Sequence, residues 1–225
     1  MSDLAVILVT APPPGQMPDD AAMTKIDGRE SALRTMEMFT NREGIASTTL
    51  VVNAVNAEEV KRKIGSHLMF MGIGFVEAGP TWFEQLHAAG QRLKPEIKHV
   101  LVHDAARPSV AYTDLDLILS LTGQHDAVTL ACKLPGLIVA GAVPGMGQPT
   151  QGSFAECLTP TLYSRAAFDT VCKTREQPAD MKLIEGSFLN VRCGTRDAAF
   201  VKAMIGLLPK PKIKPRSSPF EEAQW

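Results

Sequence analysis

The order of apolar runs and amphipathic segments predicts an α/β fold with a mainly parallel sheet flanked by helices. Two observations carry this. Short aliphatic runs such as Leu4–Val9 and His99-Val-Leu-Val-His103 lack polar alternation, the pattern of strands buried on both faces. Between such runs lie segments with apolar residues at helical spacing, which supply the crossovers that parallel strands need. The composition agrees: 225 residues, 45% hydrophobic and 21% charged, are enough for one full core and argue against disorder or a fibrous rod.

Taken in order, Leu4–Val9 opens the sheet. Ala32, Leu33, Met36 and Phe39 share one face of a helix expected over 29–39. The β-branched stretch Thr48–Val52 reads as a strand. Asn56 with Glu59 has the form of a capping box, opening a helix that carries Val60, Ile64 and Leu68. A strand at 74–77, a helix over 81–92 and an interior strand at 99–103 follow. Thr113 with Asp116 is then expected to cap a helix bearing Leu115, Ile118 and Leu119, before another strand at 127–131.

Residues 136–152 break the rhythm, with glycines at 141, 145, 147 and 152, two prolines and no charge. They read as a projecting β-arm. An uncharged arm in water is an aggregation hazard, so burial against a partner subunit, a dimer contact, is expected. Helix over 162–172, strand material at 182–191 and helix over 196–208 complete a single domain spanning 1–208. The proline- and charge-rich stretch 209–225 reads as a flexible tail.

Charge and hydropathy exclude several function classes. The net charge of −1 offers no global field for nucleic acid or an anionic membrane, and no apolar run is long enough to span a bilayer. The start, Met-Ser-Asp-Leu, lacks the basic run of a signal peptide, so the cytoplasm is the expected compartment. Cys132, Cys157, Cys172 and Cys193 are scattered without metal-ligand spacing and read as reduced thiols.

The stretch with most chemical content is His99-Val-Leu-Val-His-Asp-Ala-Ala-Arg-Pro108. Ligands of open α/β sheets bind beyond the carboxyl ends of strands. There Asp104 can hold Mg²⁺, Ala105 leaves room for a nucleotide, and Arg107 can meet a phosphate. Equally, Asp104 and Arg107 can simply close a strand-to-helix turn. The stretch resembles the signature of 2-C-methyl-D-erythritol 4-phosphate cytidylyltransferases. Leu158-Thr-Pro160 with Leu162 and Arg165, Ile184-Glu-Gly186 through Asn190-Val-Arg192, and Ile26-Asp-Gly-Arg29 also resemble that family's segments, in order, over about residues 4–208.

The resemblance implies a Rossmann-like nucleotidyltransferase fold and a homodimer formed through the arm. It further implies CMP transfer from CTP to methylerythritol phosphate with Mg²⁺, in isoprenoid biosynthesis. It places Ala11, Gly79, Asp104 and Ala105 at the nucleotide, Asp104 at the metal, and Arg107 and Thr159 at the second substrate. Arg192 stands where the family has a catalytic lysine, and Lys25 is the candidate for the other.

The sequence departs from the family where phosphate is gripped. The family's glycine-rich loop, which wraps the triphosphate in backbone N–H groups, here reads Thr10-Ala-Pro-Pro-Pro-Gly-Gln-Met17. Pro12, Pro13 and Pro14 have no N–H to donate, and Gln16 replaces a cationic Arg. Losing three charge-assisted donors costs on the order of 5–9 kcal/mol. Gly79-Pro-Thr-Trp-Phe-Glu-Gln85 keeps only the glycine of a Gly-x-x-Arg-x-x-Ser segment, and Gln151 stands where the arm carries a basic residue. Two functions are therefore expected: a cytidylyltransferase relative with much reduced or lost activity, or a non-catalytic homodimeric scaffold or ligand-binding relative.

Overall fold

A computed structural model describes residues 2–17, 19–40, 42–134, 138–140, 148–150, 152–194 and 196–209. The chain enters through β1 (Leu4–Val9), makes a short hairpin of β2 (Lys25–Ile26) and β3 (Arg29–Glu30), and continues into α1 (Ser31–Glu37). Then follow β4 (Ile45–Asn53), α2 (Ala57–Met71), β5 (Gly74–Ala78), α3 (Trp82–Gly90) and β6 (His99–Asp104). The second half holds α4 (Tyr112–Ser120), β7 (Ala127–Lys133), the pair β8 (Ile138–Ala140) and β9 (Gln148–Thr150), and β10 (Ala155–Ser164). It closes with α5 (Arg165–Thr174), β11 (Lys182–Glu185) and α6 (Ala198–Leu207).

The main sheet has seven strands in the order β11-β7-β10-β6-β1-β4-β5. β10 runs antiparallel to both β6 and β7, and the other pairings in that sheet are parallel. The expected mainly parallel sheet flanked by helices is therefore present. β1 shows why its sequence is continuously apolar. Leu4, Val6 and Leu8 pack with buried residues of α1, α2, α4 and α6, while Ala5, Ile7 and Val9 pack with α3 and α5. Each side of the sheet thus has its own apolar layer.

Several local expectations are corrected. Asn56 does not cap α2 through its side chain; a 3₁₀ turn over Ala54–Asn56 precedes the helix, and Asn53 accepts the Val55 N–H at 3.1 Å instead. Asn56 Nδ2 donates to Asp20. α4 starts at Tyr112 behind Ala111, and Asp116 pairs with Arg42 at 2.6 Å rather than joining a cap with Thr113. The segment Leu162–Ser164 is strand, with Ser164 as the N-cap of a helix that begins at Arg165. The strand expected over 182–191 ends at Glu185. Within the expected arm, β8 and β9 pair antiparallel; residues 135–137, 141–147 and 151 lie outside the described residues, as do 210–225 of the expected tail.

Candidate functional site

The carboxyl ends of β1 and β6 lie side by side, with Val9 opposite Asp104. This brings the Pro12–Pro14 turn and the Asp104–Arg107 segment to one end of the sheet, where α/β folds bind ligands. A cleft of about 350 Å³ opens there, lined by Thr10, Ala11, Val52, Asn53 and Gln85 among others.

Gln85 shapes one wall. It rides on α3, whose start is fixed by a capping box: Thr81 Oγ1 accepts from the Glu84 N–H, and Glu84 accepts from the Thr81 N–H. A Cβ at Gly79 would fall 2.5 Å from Glu84 Oε2, so a glycine there makes room for the capping carboxylate. The Gln85 side chain is fully buried, and its Oε1 accepts from the Thr10 N–H at 3.0 Å and the Ala11 N–H at 3.1 Å. Its Nε2 donates to the Gly79 carbonyl at 3.4 Å. The backbone donors at the head of the loop are thus engaged by the protein's own amide. Beyond them the Gln16 N–H closes a turn onto the Pro13 carbonyl.

The opposite wall is acidic. Asp19, Asp20 and Glu59 line the cleft against one amine, Lys63, which pairs with Glu59 at 2.7 Å. That pairing holds the Glu59 carboxyl below its usual range. Asp19 is in turn held by the Arg192 guanidinium.

Asp104 itself is fully buried. Its Oδ1 accepts the Ala106 N–H at 2.8 Å, and its Oδ2 lies 2.7 Å from Arg192 Nε and 3.8 Å from Arg107 Nε. Burial pushes the Asp104 carboxyl up, opposed by the charges of Arg192 and Arg107. For Arg192, burial is outweighed by the carboxylates of Asp19 and Asp104, which hold the guanidinium up. A guanidinium stays charged at any ordinary pH, and we read the pair as ionised.

The expected site residues therefore divide. Asp104, Ala105, Arg107, Thr159 and Arg192 come together. Thr159 Oγ1 accepts from the Asp104 N–H at 3.1 Å, and Ala105 is sealed by bonds from its N–H to Val9 and to its carbonyl from Ser31 and Thr35. Arg107 donates to the Asn190 carbonyl at 2.8 Å and pairs with Glu156 at 2.9 Å. Ala11 and Gly79 lie around Gln85 on the cleft side. Lys25 is exposed on β2, 3.9 Å from Glu30. Thr159 and Pro160 sit inside β10.

Mg²⁺, implied by the resemblance, does not fit these residues. Mg²⁺ in such sites is held by one or two open carboxylates together with substrate phosphates and water. Here neither oxygen of Asp104 is open: Oδ1 takes the Ala106 N–H and Oδ2 the Arg192 guanidinium. Two residues with structural weight carried no role in the sequence reading: Gln85, and Asp19, which holds Arg192 from the far side. The signal for Asp19 was the acidic pair directly after the proline turn.

Comparison with known proteins places the chain in a family. The sequence pattern of the 2-C-methyl-D-erythritol 4-phosphate cytidylyltransferase family matches residues 7–198. The chain belongs to that family. A cytidylyltransferase of that name from Rhodopirellula baltica is 23% identical over 194 residues, 79% of each chain. The 4-diphosphocytidyl-2C-methyl-D-erythritol synthase of Anaerococcus prevotii superposes with a TM-score of 0.72 at 16% identity, covering 91% of this chain and 96% of that one. The cytidylyltransferase of Thermus thermophilus gives 0.68 at 20% identity, covering 89% and 98%. The fold is thus the Rossmann-like one of the cytidylyltransferase family. Among the described residues no helix is long and apolar enough to cross a membrane.

Proposed function

We propose that this member of the cytidylyltransferase family transfers CMP from CTP to methylerythritol phosphate at a rate reduced by several orders of magnitude, or not at all. One observation carries the reading: the loop that grips triphosphate in relatives offers three prolines here, and Gln85 already engages the N–H groups of Thr10 and Ala11. In the family reaction a phosphate oxygen of the acceptor attacks the α-phosphorus of CTP in line and pyrophosphate leaves, so the protein's work is positioning and charge neutralisation. In this reading Ala11, Gly79, Asp104 and Ala105 face the nucleotide, Arg107 and Thr159 the acceptor, and Arg192 and Lys25 supply positive charge. Arg107 and Arg192 are both committed to internal partners.

A second reading is favoured by the cleft, which persists at about 350 Å³ above an intact core: a ligand-binding or scaffold relative without catalysis. In either case we take 1–208 as one domain, 136–152 as the arm of a homodimer, and the cytoplasm as the compartment. Pyrophosphate release from CTP and methylerythritol phosphate tests the main reading. A native rate several orders of magnitude below a typical enzyme's, down to the background of Asp104→Ala, is expected. Turnover near a typical enzyme's roughly 10 per second, abolished by Asp104→Ala, would overturn it.

A further inference from the structure

We propose that Arg192 is a built-in cation that takes the place of a divalent metal at Asp104, latched from the far side by Asp19. The inference builds on the mismatch between these residues and Mg²⁺, and it goes beyond the loss of transfer to say what replaced the ion.

The guanidinium uses two edges for two carboxylates. Nε meets Asp104 Oδ2 at 2.7 Å; Nη1 and Nη2 meet Asp19 Oδ2 and Oδ1 at 2.5 and 3.0 Å. Nη1 also donates to the Cys193 carbonyl at 3.1 Å. A lysine, with one ammonium on a flexible stem, cannot span both acids with this fork, so the arginine is chemically specific at this position. Its side chain is 1% exposed, and that of Asp104 is closed to solvent altogether.

Asp19 is positioned rather than incidental. Its Oδ1 also accepts the Ala21 N–H at 3.1 Å, which orients the carboxylate. The chain leaves room for it: a Cβ at Gly194 would fall 2.8 Å from Asp19 Oδ2 and 2.9 Å from Ala21 Cβ, and Gly194 has φ of 87°. The stretch between β1 and Asp19 is therefore pinned at both ends, by Gln85 at Thr10 and Ala11 and by Arg192 at Asp19. Arg192, held between Asp19 and Asp104, covers the Asp104 carboxylate. Arg107, 3.8 Å from the same oxygen, adds a second positive charge that would oppose a metal.

The test is a side-chain and backbone NMR titration of the intact protein with Mn²⁺. The expected result is a slowly exchanging Arg192 Nε–H signal, with no Mn²⁺ broadening at the Ala106 and Thr159 positions that differs between the native protein and Asp104→Asn. Broadening there at millimolar Mn²⁺ that Asp104→Asn removes would overturn the proposal. So would an Arg192 Nε–H exchanging as fast as that of an exposed arginine. Asp19→Asn, isosteric at a side chain 31% exposed, should speed exchange of the Arg192 Nη and Nε protons about tenfold or more, the size expected for losing charge-assisted hydrogen bonds. Unchanged exchange would remove Asp19 from the assignment. The two readings separate cleanly. Rapid transfer without Mn²⁺ at Asp104 would end the proposed function and leave this assignment standing, and Mn²⁺ at Asp104 without transfer would do the reverse.

Discussion

Replacing Gln85 by alanine removes one carboxamide and leaves its partners in place. The Thr10 N–H retains the Val51 carbonyl at 3.2 Å, so it is not orphaned. The Ala11 N–H, on a residue only 4% exposed, donates to Gln85. An unsatisfied buried donor costs about 1–3 kcal/mol. Loss of the one buried methylene group, Cγ, adds about 0.8 kcal/mol. The cleft lies alongside, so water can reach the exposed N–H and draw the total toward the lower end; a loss of about 2–4 kcal/mol is expected. Urea unfolding followed by the fluorescence of Trp82, buried in the same helix, measures it. Amide exchange at Ala11 should accelerate in parallel. A loss within about 0.5 kcal/mol, the range of neutral surface changes, would refute the view that Gln85 closes the head of the loop.

Further outcomes are expected. Burial pushes His103 down to about 3, and its Nε2 carries the proton because it faces the Arg107 carbonyl at 3.0 Å. Below the unfolded value near 6.5 only the unfolded chain takes up this proton, so stability falls as pH drops from 6.5 toward 3. At pH 5 the loss from this residue is about 2 kcal/mol, and His103→Gln should show a correspondingly shallower slope in calorimetric titrations. Gly194→Ala places a Cβ against Asp19 and Ala21 at φ of 87° and should lower stability by more than about 1 kcal/mol in urea melts. Thr81→Ala removes a capping box and should cost about 1 kcal/mol by the same assay, with the Glu84 carboxyl rising toward its ordinary value in NMR titration because its hydrogen bonds from Thr81 hold it down.

Strands were legible wherever burial on both faces forced unbroken aliphatic runs, as in β1 and β6. The helix expected from 162 begins only at Arg165, and Thr159-Pro160 before it, which has the form of a helix start, is strand instead. In the fold it is a strand residue at the point where the β10–β7 register shifts between Leu158 and Thr161, so its missing N–H interrupts no regular ladder there. Asn56 and Thr113 show the limit of capping signatures: a preceding 3₁₀ turn displaces the first, and a distant Arg42 draws off the Asp116 that would serve the second. At the site, the proline turn is legible from sequence alone, but the side chains that engage its ends are not. Arg192 and Asp19 are 173 positions apart, and only the folded sheet end brings them to one guanidinium.

The single reversed strand has a consequence for how distant parts of the molecule communicate. β10 follows directly on the β8–β9 hairpin and threads between β6 and β7, delivering Glu156 to Arg107 and the Thr159 hydroxyl to the Asp104 amide. Both contacts leave from the first half of the ten-residue strand, so a shift of its leading end moves the partners of Arg107 and of the Asp104 amide together.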